Sequence, residues 1–176
     1  MLPKALLLDL DDTLITFDHG LDLQKCWADA CELHLNEYQP QEISILVSAI
    51  QRQAGWHWSD AERHRIGRLN LPEARRQIIS EALGQTDIAG GPETAMQIAL
   101  SYGELRDKLV TLQPGAIEML VLAREMGLRL VLITNGASKP QRAKIDRFGL
   151  AAYFDHILIK EEFGIGKPEP AVYEHA

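Results

Sequence analysis

Cysteine is scarce here, with two residues in 176, and no apolar run approaches the roughly 20 residues that a membrane-spanning helix needs. Cys26 and Cys31 stand five apart on a helical stretch, about 140° apart around its axis. That geometry suits neither a disulfide nor a shared metal ion, so both read as reduced thiols, and the expected location is the cytoplasm. Excess positive charge is missing too. Eighteen Lys and Arg against 25 Asp and Glu leave a net charge of −7, which argues against a nucleic-acid partner. A small phosphorylated metabolite remains compatible, because the field within one site can oppose the net charge. Repeats and low-complexity tracts are absent, and nothing in the pattern fixes an oligomeric state. The chain enters a strand at once, so no secretory leader is expected. With 46% hydrophobic residues it has enough apolar surface for a sizeable core.

A strand signal is also lacking across about ninety residues after Leu14. Helical spacing runs from Leu21 to Tyr38. Pro40 punctuates, and Ile43, Leu46, Val47 and Ile50 mark a second helix, which Gly55-Trp56-His57-Trp58 is expected to break. Ser59 with Glu62 resembles a capping box for a short helix. Leu71-Pro72 opens another that stops at Gly84, and a last one runs from about Thr94 to Leu109. Around this block the rhythm differs. Leu6, Leu7 and Leu8 form an unbroken apolar run, the pattern of a strand covered on both faces. Pro114 suits a first helical turn, with the helix ending at Gly127. Leu130 to Ile133 is a second such strand, and Ile157 to Ile159 a third. Between them lies a helix from Pro140 to Phe148, capped by Ser138. Glu161-Glu162 then leads into a Gly-rich turn and one more helical start. Alternating strands and helices predict an α/β fold: a Rossmann-like parallel sheet from residues 1–16 and 112–176, with an inserted all-helical domain over 17–111.

The chemistry sits at the carboxyl ends of these strands, where open α/β sheets bind ligands. The first strand ends in Asp9, Asp11 and Asp12. Like charges this close repel, and each loses hydration against an apolar sheet. A bound Mg²⁺ would offset both, since it takes oxygen ligands. The second strand ends in Thr134-Asn135-Gly136, and Lys167 follows the third. Together they suit phosphoryl transfer, with an Asp carboxylate as nucleophile and a second acid protonating the departing alkoxide. Thr134 and Asn135 offer donors to phosphate oxygens, and Lys167 adds a positive charge. Gly136 and Gly166 allow close backbone approach. Asp12 reads as a turn residue. Lys144, in mid-helix, is a less favoured rival to Lys167. In the helical block, Trp56, His57 and Trp58 beside Arg63, His64, Arg65 and Arg68 offer a substrate pocket. Core tryptophans next to a solvated basic helix is the preferred reading. His19 is a further loop candidate.

Asp9-Leu10-Asp11-Asp12-Thr13-Leu14, Leu132-Ile133-Thr134-Asn135-Gly136 and Gly166-Lys167-Pro168-Glu169-Pro170 resemble the first three motifs of the haloacid dehalogenase superfamily. The resemblance implies a Mg²⁺-dependent phosphomonoester hydrolase working through an aspartyl-phosphate. Asp9 would be the nucleophile and Asp11 the general acid/base. The Asp9 carboxylate and the Asp11 backbone carbonyl would hold Mg²⁺. Thr134, Asn135, Gly136 and Lys167 would bind the phosphoryl group, under a helical cap that closes over the site. Dehalogenase members lack an acid two residues after the nucleophile, so Asp11 places this chain with the phosphatases. Gln141 and Lys144, in Thr-Asn-Gly-x4-Gln-x2-Lys, resemble the nucleotidase and phosphoglycolate-phosphatase side of that branch. The family's fourth motif, a pair of acids after a further strand, is not among these residues, so the expectation is a core missing its C-terminal part. The alternatives are a non-catalytic binding or regulatory member of the same fold and, third, a 2-haloacid dehalogenase.

Overall fold

The computed structural model describes residues 3–17 and 21–176. His19 therefore lies outside the described residues. The chain divides into two compact units, Met1–Gly20 with Val110–Ala176, and Leu21–Leu109.

The first unit is built on three parallel strands, β1 (Ala5–Leu8), β2 (Arg129–Thr134) and β3 (His156–Ile159), in that spatial order. The register pairs Leu8 with Leu132 and Thr134 with Ile159, so all three strands deliver their carboxyl ends to one edge. β2 is central, and Leu130 to Thr134 are all buried, as an uninterrupted apolar run demands. β1 departs from expectation. It has one neighbour, and Leu7 is 45% exposed, so this strand is not covered on both faces. A run of leucines reads the same whether one face or two are covered, and only the packing tells them apart.

Beyond β1 the chain turns sharply, with Leu14 and Ile15 both donating backbone N–H to the Leu10 carbonyl. The outgoing and returning segments then pair: Thr16 N–H reaches Thr111 O at 2.8 Å, and Gln113 N–H reaches Leu14 O at 2.9 Å. Helix α6 (Ala116–Glu125) starts from Gly115 in a left-handed conformation, φ 79°, so Pro114 precedes the helix rather than opening it. Helix α7 (Ser138–Arg147) follows β2 directly. Ser138 is its first residue, not its cap, and its amide and hydroxyl go to Glu161 and Glu162 instead. Those two acids belong to a short helix, α8 (Lys160–Phe163), ahead of the Gly-rich turn. Glu162 also pairs with Arg142, and these bonds hold its carboxyl down at about 2. The chain closes with α9 (Pro170–His175), whose Val172 packs against Val131, Ile133 and Leu158.

The second unit contains only helices among its described residues: α1 (Leu23–Glu32), α2 (Pro40–Ser59), α3 (Ala61–Gly67), α4 (Leu71–Leu83) and α5 (Pro92–Leu109). Its core joins Leu46 and Ile50 of α2, Ile78 and Ile79 of α4, and Ile98 of α5, while Trp27 stacks on Tyr102 at 3.4 Å. Three sequence expectations fail here. α1 stops at Glu32, six residues before Tyr38. α2 continues through Gly55-Trp56-His57-Trp58, because an interior glycine costs only about 1 kcal/mol against the apolar face that α2 buries. The cap of α3 is Asp60, which accepts from Arg63 N–H at 2.8 Å; Ser59 is the last residue of α2 and donates its hydroxyl to Trp56 O.

Cys26 and Cys31 are both free and buried. Burial pushes the Cys31 thiol up to about 12 and raises Cys26 in the same direction. A raised pKa keeps the unreactive thiol form at neutral pH. Iodoacetamide at pH 8 should therefore leave both cysteines unmodified in the native protein and alkylate both after unfolding in guanidinium chloride. Rapid native alkylation, read by mass spectrometry, would contradict this packing.

Candidate active site

Three chain segments meet at the carboxyl edge of the sheet. Asp9, one residue past β1, accepts from the Leu10 amide through Oδ1 at 2.8 Å and faces Lys167 Nζ through Oδ2 at 2.5 Å. Its side chain is 40% exposed. Lys167 in turn is held by its backbone. Its N–H donates to Asn135 Oδ1 at 2.8 Å, while Asn135 Nδ2 donates to its carbonyl at 2.7 Å. Asn135 thus uses both halves of its amide to fix the lysine-bearing loop beside the end of β2.

Asp11 has a different environment, and its side chain is 14% exposed. Lys144 Nζ donates to its Oδ1 at 2.8 Å, and Gln141 Nε2 to its Oδ2 at 3.0 Å. The same Gln141 nitrogen reaches Thr134 Oγ1 at 2.6 Å, and Lys144 closes the circuit on Gln141 Oε1 at 3.0 Å. Thr134 is buried at the end of β2. Asp12 serves the turn: it adopts φ 54°, which Asp tolerates, and its Oδ1 accepts from Phe17 N–H at 2.7 Å.

The sequence-selected residues are therefore joined in two groups, Asp9 with Asn135 and Lys167, and Asp11 with Thr134. The two lysines once ranked as rivals each take a different acid. What sequence reasoning missed is Gln141 as the bridge between Thr134 and Asp11. Its signal was present, since Gln141 and Lys144 stand three apart and so share one face of α7. The motif glycines also have a different reason from the one expected. A Cβ at Gly136 would press on the Gln141 side chain at 3.0 Å, and one at Gly166 would collide with Asn135 Oδ1. Both make room for an amide side chain of the site itself.

In the helical unit Trp58 packs against the core, as expected, but Trp56 is 56% exposed, with the Arg63 guanidinium 3.8 Å above its ring. Trp56 is thus not a core tryptophan. His57 is buried, and Arg65 pairs with Glu62 at 2.6 Å. A cavity of about 580 Å³ lies among Trp56, His57, Arg63, Ile66 and Gln77.

Gly166→Ala should force Asn135 out of its two bonds to the Lys167 backbone. Overpacking of this kind costs about 1–3 kcal/mol. Chemical denaturation should show a loss of that size; unchanged stability would contradict the clamp.

The chain is similar to known proteins over nearly all of its length. A family model described as a haloacid dehalogenase-like hydrolase matches residues 3–176. The chain is 34% identical to the phosphoserine phosphatase of Thermus thermophilus, over 98% of its own length and 74% of that protein's. It is 28% identical to the pyrimidine 5'-nucleotidase YjjG of Escherichia coli, over 96% of its own length and 67% of that protein's. The L-2-haloacid dehalogenase of Xanthobacter autotrophicus superposes with a TM-score of 0.53 at 23% identity, over 99% of this chain and 63% of that one, a likeness of fold alone. The chain thus spans between 63% and 74% of the lengths of these proteins. With the family model covering nearly every residue and a parallel sheet that brings the three motifs to one edge, the chain belongs to the haloacid dehalogenase-like hydrolases.

Proposed function

We propose that this hydrolase cleaves small phosphomonoesters through an aspartyl-phosphate on Asp9, with Asp11 as general acid/base. The observation that carries the reading is the unequal treatment of two carboxylates two residues apart. Asp9 is open to solvent on one side and faces a lysine, whereas Asp11 is enclosed and held through both oxygens. The more exposed carboxylate is the one open to attack phosphorus, and the enclosed one, two residues on, is held in place for proton transfer. A halide leaves without a proton, so a dehalogenase has no use for the second group. Relatives named for phosphoserine, glyceraldehyde 3-phosphate and pyrimidine nucleotides share the phosphomonoester and differ in the alcohol that leaves. We assign the choice of alcohol to the helical unit, acting as a cap.

In the proposed reaction an Asp9 oxygen attacks phosphorus, the ester P–O bond breaks, and Asp11 gives its proton to the departing alkoxide. Water then loses a proton to Asp11 and attacks phosphorus. The acyl-phosphate P–O bond breaks, which restores Asp9 and releases inorganic phosphate. Lys167 and the Thr134 hydroxyl hold the phosphoryl oxygens, with Asn135 and Gly136 beside them. The donors present fit a small hard cation: the Asp9 carboxylate and the Asp11 carbonyl, oxygen donors just past a strand end, would hold Mg²⁺. Among the described residues no three His, Cys, Asp or Glu side chains gather into a metal cluster. When bound, Mg²⁺ supplies the charge that lets a carboxylate approach a phosphate. No helix among the described residues is long and apolar enough to cross a membrane.

Phosphate release from O-phosphoserine, glyceraldehyde 3-phosphate and a pyrimidine 5'-mononucleotide tests the reading. Turnover should stop in EDTA and return with Mg²⁺. Asp9→Asn should reduce it to background, and Asp11→Asn should lower it by about 10²–10⁴-fold. Undiminished turnover by Asp9→Asn would refute the mechanism. A wild-type protein inert on phosphomonoesters with Mg²⁺ present would favour a non-catalytic binder with the same fold.

A further inference from the structure

We propose that Gln141 and Lys144 are positioning residues for this reaction: they fix the Asp11 carboxylate and orient the Thr134 hydroxyl so that its proton faces the phosphoryl group. The inference rests on the phosphatase reading and extends it to two residues that act through Asp11 and Thr134.

The bonds determine one another. Lys144 is a pure donor, so the Gln141 atom 3.0 Å from its Nζ must be the amide oxygen. That fixes the amide, and its nitrogen faces the other way. The nitrogen carries two protons and has two acceptors in reach, Asp11 Oδ2 at 3.0 Å and Thr134 Oγ1 at 2.6 Å. Having accepted there, the Thr134 oxygen directs its own proton away from Gln141. Asp11 has its second oxygen on Lys144 at 2.8 Å, so both of its oxygens are assigned. Lys144 is restrained further by the Phe17 ring, 4.3 Å from its ammonium.

Burial makes the same point. Gln141 is 3% exposed, and an amide is expensive to bury unless its hydrogen bonds are made. A leucine would fill the same space on α7 without that demand. The chain also makes room for it: Gly136 has no Cβ where one would lie 3.0 Å from Gln141 Cγ and 3.1 Å from Nε2. The result links the acid at the end of β1 to the hydroxyl at the end of β2 through a helix that follows β2 directly. Asp11 sits in a loop, and misplacing a catalytic group by about 1 Å can cost on the order of 10²-fold in rate.

The test compares two leaving groups in the same enzyme preparation. One substrate is the alkyl phosphomonoester that the wild type turns over fastest; the other is p-nitrophenyl phosphate, whose phenolate leaves without a proton. Lys144→Met should lower kcat/KM, which reports the step that expels the leaving group, by about 10–100-fold for the alkyl ester, while kcat/KM for p-nitrophenyl phosphate stays within about threefold. Lys144→Arg, which keeps a donor for Asp11, should recover most of the loss. Gln141→Leu should lower both rates, because it also releases Thr134, with the larger loss on the alkyl ester. The ratio of the two rates does not depend on how much of the preparation is folded, so loss of fold cannot mimic the split. Equal losses on the two substrates, or full alkyl turnover by Lys144→Met, would overturn the proposal. A wild-type protein that turns over no phosphomonoester would refute the underlying phosphatase reading, and this inference with it.

Discussion

Two carboxylates on one short loop repel, and the structure resolves that repulsion by giving each its own cation. Lys167 stands at Asp9 and Lys144 at Asp11. Like charges left unanswered would weigh against this turn, the more so for Asp11, whose side chain is 14% exposed. The two cations come from different segments, one from the loop after α8 and one from α7. The sheet order is what allows this. β2 is central, so α7 and the Lys167 loop both reach the end of β1 from its side, and Asn135, at the end of β2, ties the second of them down.

This arrangement gives the small residues of the motifs a structural reason. Gly136 and Gly166 make room for Gln141 and Asn135, two amides that carry no charge but determine where the charged groups lie. A buried amide network is stable when every member is satisfied and costly when one is not. The site thereby exchanges tolerance for definition: few substitutions at 136, 141 or 166 leave the partners of Asp11 and Lys167 intact.

Much of this was legible from the chain. The apolar runs of β2 and β3, the acids after β1 and the polar turn after β2 follow from period and composition, and they were enough to put the motif residues at one edge of a sheet. What escaped was whatever depends on a neighbour. Leu7 looks as buried as Leu6 until the packing on each face is seen. Gly55 looks like a helix end until Ile43, Leu46 and Ile50 are known to hold α2 in place. Ser59 and Asp60 are both good caps, and a single residue decides which amide is met. Lys144 read as a rival phosphate ligand because spacing alone shows which face of α7 it shares with Gln141, not which acid that face meets.

The central claim is that Asp9 becomes covalently phosphorylated while Asp11 does not. Rapid quenching of the protein during turnover, borohydride reduction of any acyl-phosphate and sequencing of the N-terminal peptide by mass spectrometry would test it directly. The account predicts homoserine at position 9 and unchanged aspartate at position 11. Reduction at position 11, or turnover in which position 9 stays aspartate while another residue carries the phosphoryl group, would contradict it.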